Sequence, residues 1–187
     1  MSLPKYKYLL TYRLAEIIFD LEVEFEKRFL VGFEHRRTRE QRYQAARSGK
    51  QNIVEGVGQS NTSKKGEMKL LGVSLGSYEE LLNDDEDFLR QRNLQIWSKD
   101  QAKIKEYRKT AYRLSHLSNL SDLGHLKEKP ILPDNPAEAA NLLLTLCHME
   151  TYLLSRQIES LEKKFAKTGG FTEKLYNSRV NYRKSPK

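Results

Sequence analysis

Residues Arg42–Leu82 read RYQAARSGKQNIVEGVGQSNTSKKGEMKLLGVSLGSYEELL, and this stretch decides the fold. Two helical patterns flank a short loop of glycine, serine and asparagine. The upstream helix is expected over Thr38–Val57. Thr38 suits its N-cap, and Gln41 three residues on completes a capping box. Its inner face, Tyr43, Ala46, Gly49, Ile53 and Gly56, is mostly small. Glycine inside a helix costs roughly 1 kcal/mol relative to alanine, so Gly49 points to a neighbouring backbone in close approach. The downstream helix is expected from Ser63 to about Asn93, with Met68, Leu71, Leu75, Tyr78, Leu82 and Leu89 as its stripe. The acidic run Asn83–Asp87 lies too far from the helix N-terminus to gain from the dipole. It is read as solvated rather than paired with basic groups.

The same periodicity extends outward. Leu10, Leu14, Ile17, Leu21, Phe25 and Phe29 recur at steps of three and four, predicting a helix over Tyr6–Val31. Glu16, Glu22, Glu26 and Lys27 are assigned mostly to its other face, and Gly32 to its stop. A shorter helix fits Gln101–Leu117. Beyond it Pro130, Pro133 and Pro136 prevent continuation. Pro136 then suits the first turn of a long helix carrying Leu143, Cys147, Leu154, Ile158, Leu161 and Phe165, which Gly169–Gly170 end. The expected fold is all-α: an up-down-up-down four-helix bundle in a single domain over 1–187. Residues 97–135 form a partly helical insertion or connector, and 171–187 a basic tail.

The 187 residues carry 33 Lys and Arg against 25 Asp and Glu, a formal charge of +8. That excess favours anionic partners, nucleic acid above all. A single cysteine excludes an intrachain disulfide. No apolar run approaches the ~20 residues of a membrane span, and MSLPKYKYLL lacks the apolar core of a signal peptide. A cytoplasmic location without membrane partners is expected.

A search for chemistry returns little. A di-iron bundle needs Glu-x-x-His on inward faces, yet Gly32, Arg113, Asp122 and Thr145 stand three residues before the four histidines. His148 and Glu150 are two apart and do not face each other on a helix. Cys147 falls on an apolar stripe, as a structural thiol does. The GVGQSNTSKKGE loop has glycines, hydroxyls and lysines, but lacks the Walker spacing and a preceding strand. It is read as an interhelical turn capped by Ser63, with Lys64 and Lys65 free to touch an external phosphate. No metal, no cofactor and no enzymatic activity are expected.

The cations instead cluster. Arg36, Arg37, Arg39, Arg42, Arg47 and Lys50 concentrate between the first helix and the middle of the second. Lys174, Arg179, Arg183, Lys184 and Lys187 interleave in the tail with Phe171, Tyr176 and Tyr182. Guanidinium and ammonium groups bind phosphates, and exposed aromatics stack on unpaired bases. Phe171 and Tyr176 are read as packing on the bundle in preference to stacking on bases.

Two motifs add a resemblance. Gln44-Ala-Ala-Arg-Ser with Gln51-Asn-Ile-Val-Glu-Gly56, and Leu75-Gly-Ser-Tyr-Glu-Glu-Leu-Leu82, are similar to segments of the bacterial four-helix-bundle family of 23S rRNA-intervening-sequence proteins. That family includes the accessory variability determinant of diversity-generating retroelements. The tail GGFTEKLYNSRVNYR resembles a suffix segment of some members. The likeness spans Tyr8–Asn93 and Pro136–Arg183 and leaves 97–135 outside. It implies a homopentamer of bundles with a basic surface that binds RNA or DNA, and for retroelement members association with a reverse transcriptase. Asn52, Glu55 and Gly56 are read as a hydrogen-bonded helix end rather than ligand contacts. The expected function is that of a non-enzymatic, oligomeric nucleic-acid-binding protein. The alternative is a protein-interaction scaffold whose basic face meets an acidic protein.

Overall fold

A computed structural model describes residues 3–116 and 131–184. A 3-10 turn at Lys5–Tyr8 precedes six described α-helices. They are α1 (Leu10–Phe29), α2 (Arg36–Gln59), α3 (Lys64–Gln91), α4 (Ala102–Ser115), α5 (Pro136–Thr168) and α6 (Phe171–Lys184). Strands are absent among the described residues. α1 packs on α2 and α5, α2 on α3, and α3 on α5, so the protein is an all-α helical bundle. Its core draws Leu14, Ile17, Ile18 and Phe25 from α1, Ile53 from α2, Leu71 and Leu81 from α3, and Leu143 and Cys147 from α5. Each such aliphatic or aromatic side chain contributes roughly 1.5–3 kcal/mol by leaving water. Burial pushes the Cys147 thiol well up, which keeps it unreactive.

Local chemistry sets the ends. Ser63 Oγ accepts from the Gly66 N–H at 3.0 Å and starts α3. Asn135 Oδ1 accepts from Ala137 and Glu138 at 2.9 and 3.1 Å, with Pro136 beside it in the first turn of α5. Gly169, in the left-handed region at φ 64°, ends α5. At the α2–α3 contact, a Cβ on Gly49 would stand 2.7 Å from the Tyr78 ring, and Ser74 Oγ donates to the Gly49 carbonyl at 2.8 Å. The small residue is there because an aromatic ring, rather than a backbone, lies against it.

Several expectations are corrected. α2 begins at Arg36, with His35 at an N-cap that makes no side-chain bond, so Thr38 lies inside the helix and caps nothing. Instead the Arg39 guanidinium bonds the Leu30 and Gly32 carbonyls just past α1, tying the two helices at their connection. Tyr43 is exposed rather than inward. Asn52 makes no helix cap either: its amide donates one turn back to the Ser48 carbonyl and hydroxyl, at 2.9 and 3.0 Å. α4 lies against α5 and α1, burying Ala111 and Leu114 in the common core. Arg13 of α1 reinforces this by donating to the Ser115 carbonyl at 2.7 Å. The helical part of 97–135 therefore shares the core, while the turn-rich reading of 117–130, Pro130 included, lies outside the described residues. No described helix is long and apolar enough to cross a membrane.

Candidate nucleic-acid interface

One of the expected nucleic-acid contacts is not at the surface. Arg42 is 1% exposed, and its guanidinium holds Glu22 of α1 through Nε and Nη2 at 2.8–3.1 Å and Asp85 of α3 through Nη2 at 2.7 Å. The Phe25 ring covers it at 5.0 Å. Arg42 thus joins three helices inside the bundle and reaches no external phosphate. Asp85 correspondingly leaves the acidic run for the core, and Glu22 and Glu26 are buried too, against their assignment to solvated faces. Burial opposes the Arg42 charge, but Glu22 and Asp85 outweigh it and hold the guanidinium protonated. Glu22 takes the two-pronged contact; burial, opposed by Arg42, raises Glu22, and burial, opposed by Arg42 and aided by Glu22, pushes Asp85 up to about 8. Burial first, then Glu22, lifts Glu26 to about 7. Farther along, Glu150 of α5 is fully buried with neither oxygen hydrogen-bonded among the described residues, and burial raises it well above the usual carboxylate range.

The remaining cations are at or near the surface, in separate places. Arg36 pairs with Glu40 at 3.0 Å, and Arg37 and Arg47 are exposed. Arg39 is half-buried on the carbonyls after α1, and Lys50 lies 4.0 Å over the Phe19 ring. Arg36 is separated from the α2–α3 turn by the whole of α2, about 35 Å at ~1.5 Å per residue. The structure does not bring these arginines together with Lys64 and Lys65. It does bring the turn together with the start of α6.

The Gly169–Gly170 junction sets α6 beside the α2–α3 turn. Gly169 N–H still donates to the Phe165 carbonyl at 2.9 Å, and Glu173 accepts from the Gly170 N–H at 3.0 Å, capping α6. A Cβ on Gly170 would stand 3.1 Å from both Phe165 and Glu173, a tight contact that either side chain must yield to by a few tenths of an ångström. Two adjoining cavities result. One of about 570 Å³ is lined by Lys64, Lys65, Phe165, Phe171, Tyr176 and Asn177 among others. The other, about 250 Å³, adds Lys164 and Lys174. Lys64 shares its charge with Glu67 at 2.9 Å. Phe171 and Tyr176 are 43% and 67% exposed, which corrects the reading that they pack on the bundle. Arg179, Arg183 and Lys184 are exposed farther along α6; Lys187 lies outside the described residues.

Sequence reasoning missed Lys164, Phe165 and Asn177. The signal was present in the Lys163–Lys164–Phe165 run at the end of α5, close to the two glycines that join α5 to α6. On the other side of the bundle, a cavity of about 650 Å³ between α4 and α5 is lined by Trp97, Ile104, Tyr112, Leu144 and His148 among others; Glu150 is not part of it. No group of three or more His, Cys, Asp or Glu positioned for a metal occurs among the described residues. Compared with protein-family models, with curated proteins and with solved structures, the chain finds no match.

Proposed function

We propose that the protein is a non-enzymatic, oligomeric nucleic-acid-binding protein that holds RNA or DNA through basic surface side chains. The observation that supports this reading is the gathering of Lys64, Lys65, Lys164 and Lys174 around one end of the bundle, beside exposed Phe171 and Tyr176. Ammonium groups neutralise phosphates, and these four flank the α2–α3 and α5–α6 connections at that end. The motif resemblance adds an accessory role near rRNA or a retroelement, a homopentamer, and a reverse transcriptase as a protein partner. The same reading takes α1, α2, α3 and α5 as an up-down-up-down four-helix bundle, supported by the closed ring of contacts α1–α2–α3–α5–α1.

Retention of labelled structured RNA and DNA at low salt tests the function. Binding should weaken steeply as salt rises, with a log–log slope of roughly −3.6 if four lysines each displace a counterion. Absence of binding at low salt sinks the reading, and a protein partner captured equally after nuclease treatment favours a scaffold instead. Light scattering that finds only a species near the 21.9 kDa chain mass sinks the oligomer.

A further inference from the structure

We propose that the cleft between the α2–α3 turn and α6 seats one unpaired nucleotide, so that the protein prefers single-stranded to duplex nucleic acid. The inference rests on the nucleic-acid reading above and assigns that reading a place and a substrate form.

Three features of the cleft converge on this ligand. Its volume, about 570 Å³, lies within the roughly 300–1,000 Å³ of small-ligand sites, and it is open to solvent. A nucleotide can therefore reach it from outside. Its walls are unlike in chemistry. Thr62 and Ser63 offer hydroxyls from the turn and Lys64 and Lys65 stand at the start of α3, while Phe165, Phe171 and Tyr176 supply rings from α5 and α6. A nucleotide has the same division, an anionic phosphate at one end and a flat π-face at the other. The third feature is Asn177, one residue from Tyr176 on the same wall, whose amide can donate to and accept from a base edge.

A paired base cannot satisfy this arrangement. In a duplex each base is covered on both faces by its neighbours, and its hydrogen-bonding edge is occupied. Stacking on a side chain requires a base already splayed from the stack. A purely electrostatic surface would instead bind any phosphate backbone and need no exposed rings. Tyr176 and Phe171 leave large apolar area in water in the free protein, and α6 itself buries no residue. Their exposure is accounted for if a base covers them.

The test compares fluorescence anisotropy of a labelled oligouridylate or oligothymidylate with that of a blunt duplex of matched length. Single strands should bind more tightly. Tyr176→Ala should weaken single-strand binding by about ten-fold, the size of one lost stacking contact, and Tyr176→Phe should retain it. Both variants should leave duplex binding unchanged. Lys65→Gln should weaken both forms and lower the salt slope by about one. Because Tyr176 is exposed, thermal melting should be unaffected in each variant. If the wild type binds nucleic acid but shows no strand preference, or Tyr176→Ala and Phe171→Ala leave single-strand affinity intact, the nucleotide cleft is refuted while nucleic-acid binding stands. If neither probe binds, both readings fall.

Discussion

Arg42 and Lys174 are both cations that the sequence places in basic clusters, yet they occupy opposite kinds of environment. Arg42 is sealed between Glu22 and Asp85 under the Phe25 ring, whereas Lys174 stands exposed beside a cleft. The difference teaches that charge counts alone do not mark an interface. Inside the bundle a cation is worth whatever its partners neutralise, because removing either side leaves a desolvated charge. At the rim the same charge costs nothing to keep hydrated and remains available to a ligand.

The contrast can be broken most forcefully at Arg42. Arg42→Met keeps the apolar stem but leaves Glu22 and Asp85 facing each other in the core, and should destabilise by about 3–5 kcal/mol in chemical denaturation. Under conditions where the variant is folded, its nucleic-acid affinity should match wild type. A stable variant with weakened binding would reverse the two roles. Next in size, Gly49→Ala drives a methyl group into the Tyr78 ring and should cost about 1–3 kcal/mol. An unchanged melting temperature would show that the ring moves aside freely.

A smaller effect is expected at Glu26, read as a slope. Its folded-state value near 7 exceeds the usual 4.5, so the folded protein holds this proton more tightly than the unfolded chain. The stabilisation is complete below about pH 4.5 and is lost as pH rises through about 7. Glu26→Gln, which mimics the protonated acid, should flatten the fall of stability across that window in denaturation at pH 5 and pH 8. A parallel pair of curves would mean that Glu26 is not the group responsible. Smallest of all, Tyr176→Ala should change stability by less than about 0.5 kcal/mol. A larger loss would mean that α6 is part of the folded core and not an appended arm.

Much of the fold was legible because its signals are local. Ser63, Pro136 and Gly169 act within a turn of themselves, so the starts of α3 and α5 and the end of α5 follow from short windows. The buried ions were not legible through residue type, since Glu, Asp and Arg are assigned to water by default. Their spacing held the information. Asp85 continues the series Leu71, Ser74, Tyr78, Leu81 and Phe88, and Glu22 continues Ala15, Ile18 and Phe25, all of them buried. Arg42 likewise extends Ala45, Gly49 and Ile53. The cleft was half legible: the lysines on either side stood out, but residues more than a hundred positions apart meet only after the bundle closes.

The Arg42 trio also bears on how the helices come to lie in one alignment and no other. An apolar stripe repeats every three or four residues, so two such helices fit nearly as well when one slips by a turn. A slip of one turn, about 5.4 Å, would carry Asp85 or Glu22 out of reach of the guanidinium and strand opposite charges among leucines. The single arginine therefore serves α1, α2 and α3 as a common index mark, selecting one register from several that hydrophobic packing would accept.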